Sequence, residues 1–163
     1  QRQAYGNVPL WVLFNGVTFG SLSKFYGFTT QDIQSKVAKN FDKVNQKQLE
    51  QYLSVITKYR NVCAHGERLF SYQTRNDIPD TALHAKLGIP KNGSQYIMGK
   101  HDLFAVVITF RYLLPSEDFT RFKASLTSVI QHYLRSPGAM SDIDLYRYMG
   151  FPSNWKKLTA YKK

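Results

Sequence analysis

Arg60, Asn61, His65 and Arg68 lie close enough in the chain to share one chemical task. Arginine brings a permanent charge and a fork of donors, and imidazole is the side chain best suited to moving a proton near neutral pH. The pairing suits an anionic substrate. On a helix turning about 100° per residue, with Arg60 as zero, Ala64 falls at about 40°, Arg68 at 80°, Asn61 at 100° and His65 at 140°. A small residue thus floors an arc bearing two guanidiniums, an amide and an imidazole. Leu49, Leu53, Ile56 and Cys63 fall within roughly 60° of Arg60, with Tyr52 and Tyr59 a little further round. These predict the core-facing stripe and put Arg60 at the core's edge. The same residues also fit a structural role. An arginine near a helix end can cap carbonyls or pair with Glu67, and a histidine before Gly66 can close a helix C-terminus.

Stepping outward, Asn45 is expected to cap the helix that carries this arc. Upstream, Asn7 can cap a helix with Pro9 in its first turn, running to about Tyr26 and ending at Gly27. Asn15 interrupts the apolar Leu13, Phe14 and Val17, either as a satisfied core amide or as a hydrogen-bonding support for the Arg60–His65 site. Thr29 or Thr30 begins a short helix through about Phe41, with Asp32 near its positive end and Ile33, Val37 and Phe41 as its packing stripe. Residues 71–100 are rich in Gly, Pro, Asn and Asp and read as a long loop, broken by a helical turn around Thr81 to Leu87. Such loops are usually functional, so this one is expected to cover the substrate groove; His84, inside it, has no assigned role.

Further on, His101-Asp102 opens an apolar helix from Leu103 to Leu114 that Pro115 stops. Ser116, Glu117 and Asp118 begin an amphipathic helix to about Arg135, with Phe119, Phe122, Leu126, Val129, Ile130, Tyr133 and Leu134 inward and His132 on the solvent or boundary face. Ser141 caps a last helix to Met149, with Asp142 and Asp144 in its first turn. The fold class is all-α, in one domain spanning 1–163.

Composition agrees with a packed domain. The 163 residues are 43% hydrophobic and 15% aromatic, which excludes general disorder. A net charge of +11 favours a polyanionic partner, either nucleic acid or an anionic membrane surface. Lys156, Lys157, Lys162 and Lys163 form a basic tail that is either a solvated face or an extension of an RNA-binding surface. One cysteine excludes an internal disulfide framework and a cysteine-based zinc site, and fits a reducing cytosol. The uncharged run Ala4 to Ser23 is too polar for a lipid-exposed span and reads as a buried helix.

Arg60-Asn61-x-x-x-His65 resembles the Arg-polar-x-x-x-His signature of the HEPN superfamily, helical domains that include metal-independent ribonucleases. Arg60-Asn61-Val62-Cys63-Ala64-His65 followed by Arg68-Leu69-Phe70 resembles, more narrowly, the Abi-like proteins of bacterial abortive infection, of the AbiD/AbiF type. Val8-Pro9-Leu10-Trp11-Val12-Leu13 running into Phe19-Gly20-Ser21-Leu22-Ser23-Lys24-Phe25-Tyr26, and Met149-Gly150-Phe151-Pro152-x-Asn154-Trp155 near the C-terminus, are similar to two further blocks of that family.

The resemblance implies a HEPN-type helical bundle with a further N-terminal helical segment before Gln1. It implies a cytoplasmic, membrane-free bacterial toxin or phage-defence effector that cleaves RNA as a homodimer. His65 would transfer the proton, Arg60 would stabilise the phosphoryl transition state and Asn61 would orient His65 or hold a phosphate. Arg68, Lys156 and Lys157 would bind RNA, with no cofactor and no metal. A structured RNA or a protein antitoxin is the implied inhibitor. Asn15 departs from the family, whose members commonly carry glutamate there. Glu67 stands where nucleotidylated relatives have the modified tyrosine, which disfavours that regulation. The competing reading is a non-catalytic RNA-binding or dimerisation module.

Overall fold

The computed structural model describes residues 8–161. Asn7, the expected first cap, and Lys162 and Lys163 of the basic tail lie outside the described residues. Eight α-helices and one two-stranded hairpin account for the regular structure there, so the fold is all-α. They are α1 (Leu10–Asn15), α2 (Phe19–Phe28), α3 (Gln31–Ala38), α4 (Gln46–Ala64), α5 (Ala82–Lys86), α6 (Leu103–Leu113), α7 (Ser116–Leu134) and α8 (Asp142–Met149). Strands β1 (Lys91–Asn92) and β2 (Gln95–Tyr96) pair antiparallel between α5 and α6, and a 3₁₀ turn, Trp155–Thr159, follows α8.

The molecule is built around α6. Phe104, Ala105, Val107 and Ile108 are fully buried, as expected of a helix that is apolar nearly all round. Asp102 caps it, accepting from the Ala105 N–H at 3.0 Å and the Gly99 N–H at 2.7 Å. Helix α4 packs on α6, and α2 and α3 pack on α4 from the other side. Asn45 caps α4 as expected, through a reciprocal box: Gln48 N–H donates to Asn45 Oδ1 at 2.9 Å and Asn45 N–H to Gln48 Oε1 at 3.0 Å.

The single N-terminal helix expected up to Tyr26 is two helices. Gly16 ends α1, and Thr18 restarts the chain by accepting from the Ser21 N–H at 3.1 Å. Glycine is a poor interior residue and threonine a good cap, so the break is local chemistry. Nor is α1 buried. Trp11 is 70% exposed, none of the helix's described residues is in the core, and Phe14 meets Phe25 of α2 edge-on at 5.2 Å. The packing stripe expected on α3 holds only at Phe41, half-buried against the core, because Ile33 and Val37 are exposed and Ala38 is the helix's buried residue. On α7, Val129 is 66% exposed, against an inward expectation, while Phe119 and Ile130 are buried and His132 is exposed.

The long segment after residue 70 is a wall of the core rather than a cover over a groove. Ile78, Leu83 and His84 have no exposed surface, and Leu87 and Ile89 have almost none. His84 stitches it: Nδ1 takes the Thr81 N–H at 3.1 Å, and Nε2 lies 2.8 Å from Gly99 O. Both nitrogens are then used by a neutral ring, and burial lowers its pKa further. Buried Lys100 pairs with Asp80 at the same place. The hairpin closes over Gly93 at φ +61°. At the C-terminus, Phe151, Trp155 and Leu158 plug the core beside α6 and α8, with Phe104 and Phe151 rings 4.9 Å apart. Asn154 donates to Leu87 O at 3.0 Å, fastening this plug to the segment carrying α5.

Candidate functional site

Helix α4 faces the core through Leu49, Tyr52, Val55, Tyr59 and Val62. That stripe is rotated by about 75° from the one expected around Arg60. Leu53 and Ile56 are half-buried and Cys63 is exposed. The tyrosines explain the rotation, since each has a large ring to bury and a partner to meet. Tyr52 stacks on Tyr112 with centroids 5.8 Å apart, and the Tyr59 hydroxyl donates to Tyr72 O at 2.7 Å and to His101 O at 3.2 Å. Burial pushes both phenols well above their ordinary pKa, so they stay neutral.

Arg60 is therefore an exposed residue and not a core-edge one. Asn61, Ala64, His65 and Arg68 are exposed with it, and the whole arc faces solvent. Arg60 Nη1 lies 3.4 Å from Asn61 Oδ1, a long hydrogen bond that leans the guanidinium toward the amide. Arg68 sits with its guanidinium 5.9 Å from the Phe70 ring. The segment after Gly66 thus returns to the core through half-buried Leu69 and Phe70.

His65 is the C-cap of α4, as the structural alternative required. Gly66 takes φ +66°, and behind it Gly66 N–H donates to Cys63 O at 3.3 Å and Glu67 N–H to Val62 O at 3.0 Å. This double bond pattern closes the last turn around a left-handed residue. The His65 N–H donates to Asn61 O at 2.9 Å, and the exposed imidazole makes no hydrogen bond among the described residues. The structural and chemical roles are compatible, because one uses the main chain and the other the ring.

Asn15 is exposed at the end of α1, so it is not a core amide, and no hydrogen bond joins it to Arg60 or His65. Lys156 and Lys157 are exposed on the 3₁₀ turn that Trp155 and Leu158 anchor, so this basic segment is folded up to Tyr161 rather than a tail. Lys123 of α7 donates to Lys156 O and, at 2.7 Å, to Thr159 Oγ1. Partial burial and the charges of Arg111 and Lys156 push the Lys123 pKa down. Among the described residues no hydrogen bond or ring contact links this second basic cluster to the α4 arc. A cleft of about 350 Å³ between α2 and α4, which Asn61 helps to line, was not apparent from the motif alone. The available signal was Ser54, Thr57, Lys58 and Asn61 at helical spacing on the motif's own face.

Residues 1–71 match the family of Abi-like proteins. The Abi-like stretch takes in α1 to α4, the Arg60–His65 arc and the return through Phe70, and it stops before the Met149–Trp155 block. Comparison with curated proteins and with solved structures returns no match. No helix among the described residues is long and apolar enough to cross a membrane.

Proposed function

We propose that the protein is an abortive-infection effector of the Abi-like family and a metal-independent endoribonuclease of HEPN type, working in the bacterial cytoplasm. The observation that carries this reading is the solvent-facing arc of Arg60, Asn61 and His65 at the closed end of α4, inside the Abi-like match. In the reaction, His65 moves a proton between the ribose 2′-hydroxyl or the leaving 5′-oxygen and solvent. Arg60 neutralises charge that builds on the phosphoryl oxygens. Asn61 holds Arg60 from beside it and can bind a phosphate oxygen. The 2′-hydroxyl is an internal nucleophile, so arginine can supply the positive charge the reaction needs.

Among the described residues no hydrogen bond orients the His65 ring, and a second arc brought up in a homodimer would complete the site. The net charge of +11 draws RNA to this surface, with Arg68, Lys156 and Lys157 as further contacts. An inhibitory RNA or a protein antitoxin is the matching form of control. A non-catalytic RNA-binding module is the second reading, favoured by the use of His65 to close α4. Incubation of the purified protein with single-stranded RNA in EDTA decides between them. Fragments ending in 2′,3′-cyclic phosphate support the ribonuclease. Binding without cleavage supports the module, and 3′-hydroxyl ends exclude the 2′-hydroxyl mechanism.

A further inference from the structure

The cleft between α2 and α4 is a continuation of the motif face. Ser54, Lys58 and Asn61 line it from α4, and with Arg60 as zero they fall at about 120°, 160° and 100° around the helix. His65, at about 140°, stands in the same column, roughly 10 Å further along the axis than Lys58. Thr18, Ser21 and Lys24 form the opposite wall. Among the described residues no carboxylate lines this cleft, while two ammonium groups and a set of hydroxyls do. The N-terminus of the ten-residue α2 also opens onto it at Thr18 and Gly20, adding the positive end of a helix dipole. Gly20 keeps the floor low, since a Cβ there would come within 3.3 Å of Thr57 Cγ2. Beyond Ser54 the chemistry changes sign: Glu50 and Asp77 line the adjoining depression.

We infer that this cleft is a phosphate subsite that holds the sugar–phosphate backbone of a single RNA strand, one side of the bond presented to His65. It rests on the RNA reading above and adds to it a direction: the strand runs from the arc along α4 toward Ser54 and stops before Glu50. Lys24 and Lys58 clamp the backbone from opposite walls, the hydroxyls and Asn61 donate to phosphate oxygens, and no base is read. Both lysines are exposed, so their truncation leaves the fold in place.

The test measures anisotropy of a short fluorescein-labelled single-stranded RNA between about 50 and 200 mM salt, in a His65→Ala background that prevents cutting. Lys24→Ala/Lys58→Ala should make the slope of log K against log salt shallower by about 1.4, since each single-strand phosphate contact is worth about 0.7. Lys24→Arg/Lys58→Arg should restore it. Lys39→Ala/Lys47→Ala, which removes the same charge from exposed positions outside the cleft, should change it much less. Equal slopes for the two alanine pairs would overturn the subsite. RNA cleavage by the protein with an unchanged slope in the cleft variant would sink the subsite and leave the ribonuclease standing. The shallower slope in the cleft variant with no cleavage by the parent would do the reverse. Absence of RNA binding overturns both.

Discussion

Glu67 reaches back across His65 and Gly66 to donate its N–H to Val62 O at 3.0 Å. That bond makes the end of α4 a fixed object and sets where the His65 ring leaves the helix. It depends on Gly66 at φ +66°, where a Cβ would meet no non-neighbouring atom of the described residues within 4 Å. Space is therefore free, and conformation is the only obstacle to a side chain.

Gly66→Ala should cost about 1 kcal/mol, the penalty for an L-residue in the left-handed region. Urea melts give the stability loss. Cleavage, where present, should fall more than stability does, because the change acts next to His65. Unaltered stability would show that α4 ends without this closure.

The second prediction concerns pH. Burial pushes the Asp102 carboxyl from its ordinary 3.8 up to about 6, against the Gly99 and Ala105 N–H groups that favour the charged form. Between those values the folded chain holds a proton that the unfolded chain has lost. The resulting stability is present below 3.8 and is lost as pH rises through 6, on the order of 3 kcal/mol. His84 opposes it: burial lowers its pKa, so protonation of the unfolded chain erodes stability as pH falls below 6.5. Asp102→Asn isolates the first effect. Its urea midpoint should lose less on going from pH 4 toward pH 7 than the parent's does, and parallel pH profiles would remove Asp102 from the account.

Helix caps and stops were legible in the sequence because they are local. Asn45, Asp102 and Ser141 each accept the N–H three residues on, and Pro115 precedes the next helix. The helical turn at Thr81 was legible for the same reason. Burial was less so, since it depends on which elements meet. The stripe of α4 followed Tyr52 and Tyr59, whose partners lie on distant segments, and the exposure of Arg60 followed from that. His84 carried no local mark of being a core tie, because Gly99 approaches it only in the fold. The motif residues were singled out by type and spacing. Lys24 and Lys58 were not, because a cleft between two helices has no single-segment pattern.

The last prediction separates charge from structure at the arc. From the sequence, Arg60 bordered the core and its loss threatened stability. Exposed on α4 with one long bond to Asn61, it should be removable at a cost within about 0.5 kcal/mol. Arg60→Ala should therefore melt like the parent, cut RNA far more slowly and bind it more weakly. His65→Ala should also melt like the parent, since its closing hydrogen bonds are made by backbone. It should keep most RNA affinity, a neutral imidazole adding little attraction for phosphate. Its cleavage should drop by about 10²–10⁴-fold, the usual worth of general acid–base catalysis. Thermal melts, anisotropy and single-turnover cleavage on the same three proteins read all of these. Cleavage surviving in His65→Ala removes that residue from the proton transfer. Unfolding of Arg60→Ala would show that the guanidinium supports the helix end rather than the reaction.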